Sequence, residues 1–272
     1  MGRIEEALRK AKVQRQGVLA GQSIDISRNP ERATLRVAKK VENSAVTQWP
    51  AHSHTVRFDN ERLREQRVIA ASQNDERVAP YRQLRTQLLK MMQDNHWMTL
   101  AITSPNEGAG KSLTATNLAI SLSRVADIEV LLVDLDLMTP SIHKKLSISP
   151  KMGLVDFLEG KAGLEDILFD PGISSLSVLI GRSAGRNASE LLASPRMHAL
   201  MNDLCQRDEG NITIFDLPPL LRNDDAILFA PYADATLVVV EEGVTTEDQL
   251  RQSIQLLQKA NFIGTVFNKV RS

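Results

Sequence analysis

The sequence predicts an α/β protein: a doubly wound, mainly parallel sheet with a flexible, partly helical N-terminal arm. Three observations carry this. From residue 78 onward, short apolar runs alternate with helical patterns. The runs are continuous instead of alternating with polar residues, as in strands that helices cover on both faces. The first run also leads through a glycine-rich turn straight into a helix, in "TLAITSPNEGAGKSLTATNLAISL" (99–122).

Taken in order, residues 1–77 form the arm. Ile4, Leu8 and Ala11 lie on one face of a basic amphipathic segment, which predicts a short helix over 2–15. Asn29-Pro30 and Trp49-Pro50 break the polar stretch that follows, with some helix expected in "NPERATLRVAKKVE". His52 and His54 have no Cys or third His beside them and read as exposed loop residues. The domain is expected over 78–272. It opens with a helix, "PYRQLRTQLLKMM", with Pro80 in its first turn and Leu84, Leu88 and Met91 on one face. Strands are predicted at 99–103, 129–134, 175–180, 211–216, 235–240 and 264–268. Helices fit at 111–125, 188–207 and 246–260, and Thr245 with Asp248 offers a capping box for the last.

Composition narrows the function. Basic and acidic residues balance at 33 each, which argues against nucleic acid as a partner. Residues 1–77 nevertheless carry 15 Lys/Arg against 10 Asp/Glu, leaving the body negative. That asymmetry suits a basic arm reaching towards an acidic partner or an anionic membrane surface, or simply a solvated tail. The single cysteine, Cys205, excludes an intramolecular disulfide and fits a reducing cytosol as a buried structural thiol. No apolar run has the ~18 residues needed to cross a bilayer, and "MGRIEEALRKAKVQR" lacks the apolar centre of a signal peptide. The expectation is a cytoplasmic protein whose membrane contact is indirect.

The chemistry gathers at strand ends. A phosphate cradle needs backbone N–H groups turned inward, and Gly108 and Gly110 permit the dihedrals this requires. The helix that follows directs its positive end at the phosphates. Lys111 would reach the β- and γ-phosphates and the Ser112 hydroxyl would bind magnesium. Pro105 stands where the usual phosphate loop has its first glycine, at the entrance and not in the inner wall. Two further strands end in carboxylates: "VLLVDLD" supplies Asp134 and, just beyond, Asp136, and "ITIFDLPP" supplies Asp216. Phosphoryl transfer needs oxygen ligands for magnesium and one group to orient or deprotonate the nucleophile. Each aspartate alone could merely cap a strand; three beside a phosphate loop point to a site.

The series "TSPNEGAGKSLTATNLA", "VLLVDLDLMTPSIHKKL", "MGLVDFLEG", "NASELLASPRMHALM", "NITIFDLPPLLRNDDA" and "ADATLVVVEEGVTT" resembles the cytoplasmic domain of bacterial tyrosine kinases (BY-kinases) of capsule and exopolysaccharide assembly. The resemblance spans 78–270 in the family's order. It implies a deviant P-loop ATPase related to the ParA/MinD type, with Walker A at 108–112, a second Walker motif at Asp134–Asp136 and Walker B at Asp216. It implies ATP/ADP and Mg2+ as cofactors. The expected nucleotide contacts are Gly108, Ala109, Gly110, Lys111, Ser112, Leu113 and Asn268. The expected metal ligands are Ser112, Asp134 and Asp216, and the expected catalytic set is Lys111, Asp134, Asp136 and Asp216. The implied partners are the cytoplasmic segment of a membrane chain-length regulator, which would recruit the chain to the inner membrane, and further copies of the chain through the Arg82/Arg85 helix.

Three departures accompany the match. Met138 replaces an arginine of the second Walker motif, and Ala79 replaces the glutamate of the oligomerisation motif E-x-x-R-x-x-R. The family's C-terminal tyrosine cluster has no counterpart in "VFNKVRS", and the chain has two tyrosines, Tyr81 and Tyr232. The reading is therefore an ATP-Mg-dependent BY-kinase-like protein without C-terminal autophosphorylation. A nucleotide-driven scaffold with little kinase activity is the alternative. A ParA/MinD-type partitioning ATPase fits less well, because the loop lacks that group's additional lysine.

Overall fold

A computed structural model of the protein describes residues 54–55, 60–72, 75–205, 210–222 and 224–270. The helices expected in the first part of the arm lie outside them. In chain order the elements are β1 (His54–Thr55), α1 (Asn60–Glu65), α2 (Ala79–Asn95), β2 (Thr99–Thr103), α3 (Lys111–Leu122) and β3 (Glu129–Asp134). There follow α4 (Ile142–Lys145), α5 (Leu154–Leu158), α6 (Leu164–Ile167), β4 (Leu168–Asp170), β5 (Leu176–Leu179) and α7 (Ala188–Leu192). The last are α8 (Pro195–Cys205), β6 (Asn211–Asp216), α9 (Asp225–Phe229), β7 (Ala235–Glu241), α10 (Glu247–Leu256) and β8 (Phe262–Asn268).

The strands form one eight-stranded sheet in the order β1-β4-β5-β3-β6-β2-β7-β8. Every pairing is parallel except β4 with β5, so the doubly wound, mainly parallel sheet is the fold observed. The central strands β2, β3 and β6 are buried almost throughout, as their unbroken apolar runs require. Register then places the chemistry. Asp134 of β3 lies opposite Asp216 of β6, and Asp216 lies opposite Ile102 of β2, two residues before Ser104 and the glycine-rich loop. Three neighbouring strands thus deliver their C-terminal ends to one spot, where ligands bind in open parallel sheets.

Packing also moves a boundary. Leu63, Val68 and Ala70 belong to the same buried cluster as Leu118 and Ile120 of α3. Asn117 of α3 ties this segment down, accepting from the Ala70 N–H at 2.9 Å and donating to the Arg67 carbonyl at 3.2 Å. The folded unit therefore begins before residue 78, the start expected from the sequence. His54, expected in a loop, pairs with Phe169 in the sheet. The single helix expected over 188–207 is two: Ser194 accepts the Met197 N–H at 3.2 Å and Pro195 starts a new helix. In α10 the capping residue is Thr246, bonded reciprocally with Gln249, and not Thr245.

Candidate functional site

The loop between β2 and α3 is built from backbone geometry outward. Gly108 and Gly110 both take positive φ, at 79° and 94°, which a side chain disfavours. Gly110 has a second reason: a Cβ there would lie 2.0 Å from the Asn268 Nδ2. That same nitrogen donates to the Ala109 carbonyl at 2.8 Å, so Asn268 acts as a strut from the end of β8 under the loop. At the entrance, the Pro105 carbonyl accepts the Leu221 N–H at 3.1 Å and the Ser104 hydroxyl donates to the Asn106 carbonyl at 2.7 Å. The proline therefore shapes the approach and leaves the inner wall to the glycines.

Lys111 and Ser112 open α3 and are both buried. The Lys111 ammonium lies 2.8 Å from Asp136 Oδ2, 3.5 Å from Asp216 Oδ1 and 3.2 Å from the Ser112 hydroxyl. Four of the predicted residues thus meet around one nitrogen. Thr139 holds Asp136 in place, its N–H at 2.9 Å and its hydroxyl at 3.1 Å from Oδ1. Asp134 stands alongside, its Oδ2 accepting the N–H groups of Ser141 at 3.0 Å and Ile142 at 3.1 Å. Its Oδ1 accepts the Asp136 N–H at 3.3 Å. Leu113, expected among the nucleotide contacts, is half-buried and lines the cleft beside the loop.

Electrostatics follow from one cation among three buried carboxylates. Burial pushes the Asp134 carboxyl up to about 8, and the charge of Asp216 adds to it, against Lys111 and the Ile142 N–H. Burial also raises Asp216, with the Lys111 charge opposing. For Lys111, burial alone would favour the neutral amine, but Asp216 and Asp136 hold the ammonium above its ordinary range. The Asp216 Oδ2 is buried without a hydrogen-bond partner. An unpaired acceptor in a pocket with surplus negative charge fits a hard divalent cation or its bound water. No group of three or more His, Cys, Asp or Glu in metal-holding geometry occurs among the described residues.

Gly181 was not legible as part of this site. A Cβ there would come within 2.8 Å of the Asp134 carbonyl and 3.0 Å of its Cγ. Gly181→Ala is therefore expected to displace Asp134 while leaving the phosphate loop untouched. The expected result is a loss of about 1–3 kcal/mol of stability from overpacking, with nucleotide affinity kept and turnover reduced. Turnover and nucleotide titration of the variant, compared with a urea melt, check this.

The loop opens on a cleft of about 900 Å3. Gly108, Lys111, Ser112 and Asp136 line it together with Asn268, Arg67, Tyr81 and Lys145. Tyr81, in the first turn of α2, is thus part of the cleft lining; burial raises its pKa, against hydrogen bonds with Thr114 and Asn117. Arg85 donates to the Ser121 carbonyl at 3.1 Å, so one arginine of the expected oligomerisation helix serves its own domain. Cys205 is half-buried, its thiol 3.5 Å from the Tyr232 carbonyl.

Comparison with known proteins agrees with this fold. Residues 100–272 match the CobQ/CobB/MinD/ParA nucleotide binding domain family. The tyrosine-protein kinase YwqD of Bacillus subtilis is 31% identical over 190 residues, covering 69% of this chain and 79% of that protein. The putative tyrosine-protein kinase EpsB of Ralstonia nicotianae is 32% identical over 197 residues, covering 72% of this chain. The chain spans only 26% of EpsB, so its match is to one part of a longer protein. Among solved structures, the kinase domain of Escherichia coli tyrosine kinase ETK superposes with a TM-score of 0.69 at 26% identity, covering 82% of this chain and 90% of that one. The chain belongs to the CobQ/CobB/MinD/ParA nucleotide-binding domain family and is a homologue of the bacterial tyrosine-protein kinases.

Proposed function

We propose that the chain is a BY-kinase-like domain that binds ATP with magnesium and transfers the γ-phosphoryl group to a tyrosine of another chain in exopolysaccharide polymerisation or export. The observation that carries this reading is the meeting of Lys111, Ser112, Asp134, Asp136 and Asp216 at the mouth of one glycine-rich loop. The loop N–H groups and the positive end of α3 hold phosphate oxygens. Lys111, drawn from Asp136, spreads over the charge that develops between β- and γ-phosphates. Ser112 and Asp216 would hold magnesium, which supplies charge neutralisation on the transferred group. Asp134, whose carboxyl ionises as pH rises towards about 8, orients the acceptor hydroxyl or, once ionised, takes its proton, and Asp136 keeps Lys111 placed.

The relatives named as tyrosine-protein kinases support the choice of tyrosine as acceptor. A membrane chain-length regulator as partner, recruitment to the inner membrane and assembly through the Arg82/Arg85 helix remain part of the proposal. Among the described residues no helix is long and apolar enough to cross a membrane.

The chain's own tyrosines favour transfer to another chain. Tyr81 is packed on α3, and the Tyr232 ring stacks on Phe229 with centroids 5.9 Å apart. Both rings are half-buried and packed against the folded domain. Incubation of the purified protein with ATP and magnesium is expected to give steady ATP turnover with far less than one phosphotyrosine per chain by mass spectrometry. Stoichiometric phosphorylation of Tyr81 or Tyr232 overturns that expectation. Turnover without transfer to any native membrane protein would favour the nucleotide-driven scaffold, and absence of turnover and of ATP binding would sink the site itself.

A further inference from the structure

Two cations line the cleft without serving the phosphate loop. Arg67 follows α1 in a left-handed conformation, φ 60°, with its carbonyl bonded to the side chain of Asn117 on α3. Lys145 closes α4, the short helix whose first N–H groups are bonded to Asp134. Both are thus mounted on elements fixed to the site. Both line the same cleft, and burial and the charges of Arg67 and Lys144 lower the Lys145 pKa, while Asp216 acts in the opposite sense.

Pairing elsewhere in the cleft leaves these two without an ion-pair partner among the described residues. Glu107 is paired with Arg222, Asp136 with Lys111, Arg77 with Asp75 and Lys269 with Glu241. Neither Arg67 nor Lys145 has an ion pair among the described residues, and Glu65 is the one carboxylate of the lining in the same condition. Arg67 and Lys145 thus offer two cations in the lining against one unpaired carboxylate, Glu65.

We infer that Arg67 and Lys145 dock carboxylates that flank the acceptor hydroxyl, so that the substrate is an acidic, tyrosine-bearing segment of another chain. This rests on the phosphoryl-transfer reading of the cleft. Charge complementarity selects the occupant: two unpaired cations attract an acidic segment and reject a basic one. Lys145 is half-buried inside a concave wall, where an extended peptide can enter and a flat anionic membrane surface cannot.

The test is binding to the full chain loaded with Mg-ADP, read by fluorescence anisotropy. The probes are labelled Glu-Glu-Tyr-Glu-Glu and its counterpart with glutamine in place of every glutamate. The acidic peptide is expected to bind about tenfold more tightly, in line with two partly screened ion pairs. The double variant Arg67→Gln/Lys145→Gln should bring it to the level of the neutral one, with Mg-ADP affinity unchanged. Equal binding of the two peptides, no binding of either, or discrimination surviving in the double variant overturns the inference. Loss of Mg-ADP affinity in that variant overturns it as well, since the two residues would then serve the nucleotide. Supplying Mg-ATP separates this inference from the reading beneath it: an acidic peptide that binds through Arg67 and Lys145 but is never phosphorylated refutes the kinase reading alone.

Discussion

Lys111→Ala is expected to abolish ATP turnover and, at the same time, to weaken the fold. The first effect follows from its place at the loop: removing a preorganised cation from the transferred phosphoryl group costs roughly 10²–10³-fold or more. The second follows from its neighbours. Lys111 is buried, 2.8 Å from Asp136 and 3.5 Å from Asp216, with Asp134 also acting on it. Without the ammonium three buried carboxylates face one another, and removing one partner of a buried pair costs about 3–5 kcal/mol. A reading from motifs alone would treat this lysine as a ligand-binding group whose loss leaves the fold intact; the ion pairs say otherwise. Urea melts and turnover, measured at a temperature where circular dichroism shows the variant folded, distinguish the two effects. A variant with wild-type stability would mean that the carboxylates are compensated by something other than Lys111. A variant with wild-type turnover would remove the phosphate-loop assignment.

What the sequence made legible here was what local pattern encodes. The parallel strands show as unbroken apolar runs because helices cover both faces, and β2, β3 and β6 were placed to the residue. Lys111, Asp134 and Asp216 were legible because each stands at a strand end or a glycine-rich turn. The short elements were not. β1 and β4 have two and three residues, too few to establish a period, and α1, "NERLRE", shows a single apolar side chain, Leu63. Leu63 is buried in the cluster that holds Leu118 and Ile120, and Asn117 anchors the following segment at Ala70, 47 residues away in sequence. The supports of the site are distant or unmarked for the same reason. Gly181 contacts Asp134 only because β5 lies beside β3, and Asn268 reaches Ala109 from the far end of the chain. The break between α7 and α8 was marked in the sequence by Ser194-Pro195, but the apolar pattern on either side continues through it.

Asp134→Asn is expected to make the protein more stable at pH 8 while removing most of its chemistry. The carboxyl of Asp134 is held up at about 8, against an ordinary value of 3.8, because it is buried beside Asp216. Between those two values the unfolded chain has lost the proton and the folded protein keeps it. The unfolded state therefore binds fewer protons, and the residue's contribution to stability falls as pH rises through that window and levels off above about 8. Asparagine does not ionise. Its carbonyl oxygen can still accept from the Ser141 and Ile142 N–H groups, so the short helix behind it keeps its anchor. Relative to wild type, the variant should gain on the order of 1–2 kcal/mol more at pH 8 than at pH 6. The amide cannot take a proton from an acceptor hydroxyl, so phosphoryl transfer should drop by roughly 10²–10⁴-fold with ATP binding retained. Urea melts at the two pH values and single-turnover transfer at pH 8 measure both halves. A stability difference that does not change with pH would show that Asp134 is ionised across the window. Transfer retained at the wild-type rate would move the proton-accepting role to Asp216 or Asp136.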